Sequence, residues 1–183
     1  MSAPLPDQID PWRAVKLGSS FDGEIPLERL PRLAEAVVGA AGPVRYTLAF
    51  GRDSQGRAVA RGQVSLSPTL ICQRCLEPLT LAVDAPIALA LVKAVSEADS
   101  LGLTAIVGVP DGLDPLPLGD EPICPLDLLE DELLLALPQI PLHPSADCPA
   151  AGLSPPPPDA AGERDNPFAV LAALRGAPGT DER

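Results

Sequence analysis

Apolar residues recur at every second position between residues 44 and 50, in the stretch VRYTLAF. This period predicts a strand with one face buried. After a polar turn, GRDSQG, the pattern resumes in RAVARGQVSLS at 57–67, with a slip at Gly62 that predicts a bulge. Two later runs, LTLAV at 79–83 and IALALV at 87–92, contain few polar residues. We therefore expect both runs to be strands covered on both faces or central to the sheet.

Two segments have the spacing of helices. PRLAEAVV at 31–38 predicts a short amphipathic helix, with Pro31 in its first turn and glycines after its end. ICPLDLLEDELLLALP at 123–138 predicts a longer one, because leucines share one face and acidic residues another until Pro138 ends the run. The proline-rich opening at 1–12 predicts an extended lead-in. The acidic, glycine- and proline-rich region at 96–121 predicts loops with one short edge strand at 103–109.

Together these elements predict an α+β fold, with a mostly antiparallel sheet of five or six strands and a few short helices. The 183 residues are enough for one domain, which we expect to span residues 1–150. The segment SPPPPD predicts a Pro-rich linker at 151–165. The apolar run NPFAVLAALR predicts a short docking helix within 166–183. The order of the strands and the oligomeric state do not follow from this sequence.

The charge is distributed unevenly along the chain. The net charge is −12, yet residues 1–93 carry ten Lys and Arg against nine Asp and Glu, whereas residues 94–183 carry three against sixteen. Such an acidic protein repels nucleic acid at long range, so a nonspecific nucleic-acid binder is disfavoured. A basic patch on the first half is compatible with these numbers, and the second half suits a basic protein or solvent.

Neither a membrane-spanning run nor a signal peptide is predicted. No window has eighteen uninterrupted apolar residues, and the N-terminus lacks a basic start followed by an apolar run. We therefore expect a cytoplasmic protein without a membrane partner. In that compartment, the four cysteines are expected to be thiols or metal ligands rather than disulfides.

The chemistry of the chain centres on ICQRCLEPL, where Cys72 and Cys75 have the spacing of a zinc knuckle at a turn between two strands. A tetrahedral site needs two more ligands, and His143 and Cys148 in LHPSADC are the best candidates, with Cys124 as the competitor. Two reduced, half-buried cysteines at a plain turn are an equally good interpretation. A thioredoxin-like redox pair ranks third, because no helix is predicted to begin at the motif.

Few other residues indicate chemistry. The chain has one histidine and no nucleotide-binding or nucleophile motif, so we expect no enzyme. Several arginines lie on the predicted strands and turns and could meet on one face of the sheet to contact phosphate, although a solvated sheet face is the simpler explanation. They are Arg45, Arg52, Arg57, Arg61 and Arg74.

The chain resembles the YceD family in three separated stretches that occur in the same order: ICQRCLEPL, EDELLLALPQIPLHPSADC and NPFAVLAAL. The resemblance spans about residue 9 to residue 175. The resemblance implies a non-catalytic ribosome-biogenesis factor needed for accumulation or processing of large-subunit (23S) ribosomal RNA. The partner would be precursor RNA or a ribosomal protein, and the charge imbalance favours a protein or a ribonucleoprotein over naked RNA. The alternative function is a zinc- or thiol-dependent enzyme or redox protein that uses the CxxC pair.

The family pattern falls on specific positions of this chain. Its CxRC element matches Cys72, Arg74 and Cys75, and its cysteine after the histidine loop matches Cys148 rather than Cys124. Its remaining elements add an acidic helix and an NPF element as candidate partner contacts. These are Glu130, Asp131, Glu132, Asn166, Pro167 and Phe168.

Overall fold

The computed structural model describes residues 5–93, 112–144 and 146–150, and it contains two β-sheets and three α-helices in these ranges. The strands are β1 (Ser20–Ile25), β2 (Gly39–Ala40), β3 (Val44–Arg52), β4 (Ala58–Leu66), β5 (Pro68–Ile71), β6 (Pro78–Thr80), β7 (Val83–Lys93) and β8 (Asp114–Leu118). The helices are α1 (Pro11–Leu17), α2 (Pro31–Ala36) and α3 (Pro125–Ala136), and a 3-10 turn spans Leu27–Arg29. The predicted α+β class is confirmed.

The larger sheet has five strands in the order β1-β3-β4-β7-β8. All pairs are antiparallel except β7 with β8, which are parallel. The alternation seen in the sequence is confirmed in β3, where every second side chain from Val44 to Phe50 is buried. The bulge predicted at Gly62 is wrong: Gly62 pairs in register with Leu48 on one side and Ile87 on the other.

Gly62 interrupts the apolar pattern for a different reason. A Cβ atom at this position would lie 1.9 Å from the carbonyl oxygen of Thr47 on the neighbouring strand. Only a residue without a side chain permits so close an approach of two backbones. The glycine therefore keeps β3 and β4 in close contact without breaking their register.

The three helices cover the face of the sheet that carries the main core. Leu33 of α2 and both Leu129 and Leu133 of α3 are fully buried against residues such as Val44 and Val64. Helix α1 was not predicted, because its start resembles an extended lead-in. Asp10 caps this helix by accepting a hydrogen bond from the backbone N–H of Arg13 at 2.9 Å, and Pro11 occupies the first turn.

Helices α2 and α3 are joined by a buried carboxylate. Glu130 Oε1 accepts a hydrogen bond from the backbone N–H of Leu33 at 3.0 Å, and its Oε2 lies 2.7 Å from Arg32 Nε. Asp131 accepts a second hydrogen bond from the same guanidinium at 2.6 Å. Helix α2 has no side-chain cap of its own, so Glu130 supplies from α3 the acceptor that its first turn needs.

The smaller sheet has three antiparallel strands in the order β2-β5-β6. The expectation that 79–83 forms one strand, either central to the sheet or covered on both faces, is wrong. β6 ends at Thr80 in the smaller sheet, and Val83 then begins β7 of the larger one. The edge strand predicted at 103–109, the linker at 151–165 and the helix predicted within 166–183 lie outside the described residues.

Candidate metal centre

The turn between β5 and β6 holds the two cysteines of the CxxC motif. Ile71 of β5 pairs with Pro78 of β6, and the backbone N–H of Cys72 donates to the carbonyl of Glu77 at 2.9 Å. Inside this turn the N–H of Leu76 donates to the carbonyl of Cys72 at 2.8 Å. The predicted strand-to-strand turn is confirmed, and no helix begins at the motif. The thioredoxin-like geometry is therefore absent from this hairpin.

The chain that leaves α3 runs alongside this turn. Gln73 holds it with two hydrogen bonds, from its backbone N–H to the carbonyl of Pro141 at 2.9 Å and from its side-chain amide to the carbonyl of Gln139 at 3.2 Å. The contact brings His143 and Cys148 over the hairpin. Gln73 was missed as a positioning residue, because nothing in the sequence indicates that a glutamine will reach a loop 66 positions away.

Four donor atoms converge at this place. The ligand atoms of Cys72, Cys75, His143 and Cys148 all lie within 4.8 Å of one another. Cys75 Sγ is 3.3 Å from His143 Nδ1, and the backbone N–H of His143 points to Cys72 Sγ at 3.4 Å. These four are the candidate ligands from the sequence, and the arrangement could hold one metal ion. Cys124 lies instead at the start of α3, and all four cysteines are free thiols.

The tautomer of His143 follows from its hydrogen bonds. Nε2 lies 3.1 Å from the carbonyl oxygen of Pro78, and a carbonyl can only accept a hydrogen bond. Nε2 must therefore carry the proton, which leaves the lone pair of Nδ1 directed toward the sulfur atoms. A hydrogen bond from the second ring nitrogen to a backbone carbonyl is the usual way in which a metal-binding histidine is oriented.

The environment of Cys72 favours its thiolate form, whereas the environment of Cys75 favours the protonated thiol. Burial alone raises the pKa of Cys72, but hydrogen bonds from the backbone N–H groups of Cys75, His143 and Arg74, together with the Cys75 thiol, lower it to about 5. Burial and the neighbouring sulfurs raise the pKa of Cys75. A low pKa suits either a metal ligand or a nucleophile. Cys72 is fully enclosed, and a reactive thiol needs access to its substrate, so the ligand role fits better.

The cluster also forms the core of the smaller sheet. Cys72, Leu79 and Cys148 are buried together and separately from the main core, and Cys75, Leu81 and Ala150 pack against them. Three buried residues are a small core, which by itself contributes little apolar burial. The stability of this part of the molecule must therefore depend strongly on the interactions among the four donor groups.

The other candidate contact residues are spread over the molecule. Arg45 and Arg61 lie on the exposed face of β3 and β4, and Arg74 is exposed beside Cys75. Arg45 and Arg57 are engaged in ion pairs with Glu24 and Asp53. The sheet face with Arg45 and Arg61 also presents acidic side chains, at Asp22, Glu24 and Asp84.

The acidic residues of helix α3 are not all exposed to solvent. Glu130 is 2% exposed and is engaged by Leu33 and Arg32, so it is not available on the surface. Asp131 is about half exposed and is the accessible member of the pair. Asn166, Pro167 and Phe168 lie outside the described residues. None of the described helices is long and apolar enough to cross a membrane.

The fold and the site define the class: an α+β protein with a Cys₃His cluster that ties a hairpin to the segment after its last described helix. Residues 60–175 match the family model described as "Large ribosomal RNA subunit accumulation protein YceD". The chain is 32% identical over 180 residues to the Haemophilus influenzae protein of that name, covering 93% of this chain and 96% of the relative. This chain belongs to the YceD family. No solved structure matches it.

Proposed function

We propose that this protein is a non-catalytic factor that supports accumulation of large-subunit ribosomal RNA in the cytoplasm. The observation that carries the proposal is the match to a large ribosomal RNA subunit accumulation protein over nearly the whole of both chains. The alternative, a thiol or redox enzyme, has no such support. In addition, the sole histidine of the chain belongs to the cysteine cluster, which leaves no histidine for a separate catalytic site.

The cluster is proposed to bind zinc. Three sulfurs and one imidazole nitrogen are a donor set that Zn²⁺ occupies in tetrahedral structural sites, whereas Mg²⁺ and Ca²⁺ require oxygen ligands. Four protein ligands also close the coordination sphere, and a closed sphere is typical of a structural rather than a catalytic zinc. The ion would fasten the segment at 139–148 to the β5–β6 hairpin.

Elemental analysis of freshly purified protein tests the zinc. We expect about one zinc per chain, and loss of most of it in Cys148→Ser. Cys124→Ser is the matched control, since it removes the same sulfur from a cysteine outside the cluster. Zinc retained by Cys148→Ser, or lost equally by Cys124→Ser, would contradict the assignment of ligands.

Depletion of the protein in its host tests the function. We expect mature large-subunit RNA to fall relative to small-subunit RNA, with a matching loss of large subunits in a sedimentation profile. Expression of the Cys124→Ser variant should restore the RNA, and expression of Cys148→Ser should restore less. An unchanged ratio of large- to small-subunit RNA after depletion would refute the proposed function.

The partner is proposed to be a precursor of the large subunit, either its RNA or one of its proteins. The candidate contacts proposed from the sequence are the exposed arginines Arg45, Arg61 and Arg74, the half-buried Arg57, the carboxylate of Asp131 and the NPF element at 166–168. Contact between arginine and RNA would weaken steeply with salt. Contact with a basic ribosomal protein would instead depend on the acidic second half of the chain.

A further inference from the structure

A pocket of about 300 Å³ lies beside helix α1 and the end of strand β3. It is lined by Asp10, Trp12, Arg13, Val15, Lys16 and Arg52. Three of these six residues are cations, in a chain that has only 13 Lys and Arg against 25 Asp and Glu. The pocket is therefore a local positive site on an acidic protein.

The three cations are not neutralised by neighbouring carboxylates. Six ion pairs are found among the described residues, and none of them includes Arg13, Lys16 or Arg52. The one acidic residue of the pocket, Asp10, uses its side chain to cap α1. Arg52 donates one hydrogen bond to the carbonyl of Gly56, which leaves its remaining N–H groups free among the described residues. Three cations against one carboxylate leave the pocket with a net positive charge, which favours an anionic ligand.

The aromatic member of the pocket is the only tryptophan of the chain. Its indole N–H donates to the carbonyl of Gly119 at 2.8 Å, which anchors the ring to the loop after β8. The side chain is half-buried, so part of it remains exposed beside the cations. An aromatic ring next to arginine and lysine offers stacking to a base and charge to a phosphate.

We propose that this pocket, defined by Trp12, Arg13, Lys16 and Arg52, binds single-stranded RNA, with its phosphates against the cations and one base against the indole. The inference rests on the proposed function for its choice of RNA as the ligand. A volume of about 300 Å³ is at the small end of ligand sites, which is enough for about one nucleotide unit. The rest of the contacted strand would follow the surface.

The acidity of the remaining surface restricts where RNA can bind. The sheet face with Arg45 and Arg61 also carries Asp22, Glu24 and Asp84, so its charges of opposite sign offset one another. The pocket holds three cations against one engaged carboxylate. RNA repelled by the protein as a whole would therefore be retained at the pocket in preference to the sheet.

Titration of the full chain with a short oligouridylate tests this inference. A base that stacks on Trp12 should quench its fluorescence. Because Trp12 is the only tryptophan, the whole indole signal reports on this pocket. Three phosphate contacts predict a slope of about −2 for the logarithm of the binding constant against the logarithm of salt concentration. The variant Arg13→Ala/Lys16→Ala should reduce this slope to about −0.7 and weaken binding at low salt.

The matched control is Arg29→Ala/Lys93→Ala, which removes the same charge from exposed residues outside the pocket. It should bind the RNA with an unchanged slope. Thermal unfolding of both variants checks the fold, which should be retained because Arg13 and Lys16 are exposed. Equal loss in the control, loss only on changing Arg45 and Arg61, or no quenching of the unaltered protein at low salt would each overturn the proposal.

Two further measurements separate this site from its alternatives. An oligoglutamate that quenches Trp12 and is not displaced by oligouridylate would assign the pocket to acidic peptides and overturn the RNA proposal. Two results together would refute the RNA pocket but not the proposed function: depletion lowers large-subunit RNA, and the Arg13→Ala/Lys16→Ala variant binds oligouridylate as the unaltered protein does. If depletion leaves large-subunit RNA unchanged and the variant loses RNA binding, the proposed function would be refuted and the pocket retained.

Discussion

Glu130 and Leu33 are joined by a buried hydrogen bond, from the backbone N–H of Leu33 to Glu130 Oε1 at 3.0 Å. The residues are 97 positions apart, and the bond gives the first turn of α2 a carboxylate that belongs to α3. A carboxylate near a helix N-terminus also interacts favourably with the helix dipole. The buried side chain of Glu130 therefore links the two helices, together with the contact of Asp131 with Arg32.

Replacement of Glu130 by Gln should destabilise the protein by about 1.5 to 3 kcal/mol, the range for hydrogen bonds to charged groups. Leu33 and Arg32 donate to different oxygens of Glu130, and a glutamine replaces one of these oxygens with an NH₂ group that can only donate. Urea unfolding measures the loss. Asp131→Asn is the control, because it makes the same chemical change at a half-exposed residue and should cost less. Equal losses would contradict the capping role.

Removal of the zinc ion proposed for the Cys₃His cluster should destabilise the protein. Chelation is expected to lower the melting temperature by on the order of 10 °C, because metal binding contributes directly to folding free energy. Cys148→Ser should already show the lower value and respond little to chelator. Cys124→Ser should behave like the unaltered protein, and an insensitive melting temperature in all three proteins would argue against a structural ion.

The metal-free protein should depend on pH through Cys72. The pKa of this thiol is about 5 in the folded chain, below the value near 8.5 of an unfolded cysteine. The thiolate therefore stabilises the folded state fully above about pH 8.5, and this contribution is lost as the pH falls toward about 5. Ultraviolet thiolate absorbance of the folded protein should titrate near pH 5, and Cys72→Ser should remove the step. Titration only above pH 8 would contradict it.

Leu76 occupies the left-handed region, with φ of 63°, and its side chain is 74% exposed. A non-glycine residue in this conformation is strained by about 1 to 2 kcal/mol. Leu76→Gly should therefore leave stability unchanged or raise it by up to about 1 kcal/mol in urea unfolding. Glu77→Gly, one residue later and also exposed, has no such strain to relieve and should lower stability. A clear loss in Leu76→Gly would mean that its side chain makes a needed contact.

Gly62 should not tolerate any side chain. A Cβ at this position meets the carbonyl of Thr47, which cannot move without displacing a paired strand, so Gly62→Ala should cost about 3 kcal/mol or more. Gly51→Ala in the adjacent strand meets no atom within 4 Å and serves as the control. Soluble yield and urea unfolding compare the two variants, and similar stabilities would show that the strands can separate locally.

Local patterns predicted the elements whose signals lie within a few residues. The alternation of β3, the hairpin at Cys72 and the leucine face of α3 are all confirmed. Helix α1 was missed, because Pro11 at a first helical position cannot be told from Pro11 in an extended lead-in. Strand β8 was missed because of Pro115 and Pro117, which an edge strand can accept.

The candidate metal ligands were predicted from the chemistry of their side chains and not from their positions in the fold. Cysteine and histidine were few enough to name Cys72, Cys75, His143 and Cys148 as one candidate set, and the structure brings their donor atoms together. The contact of Gln73 with the loop before His143 could not be predicted, and neither could the contact of Glu130 with helix α2. Both act across long separations, and no local pattern in a single sequence encodes a contact between residues so far apart.

The separation of the four donors along the chain has a consequence for protein synthesis. His143 follows Cys72 by 71 positions, so a growing chain presents the CxxC hairpin long before its other two ligands exist. An ion captured early by two thiols would be held loosely and exchangeably until Cys148 has left the ribosome. Only chains synthesised through α3 and the loop that follows it would then bind the metal tightly. Truncated products, which lack His143 and Cys148, would release the ion.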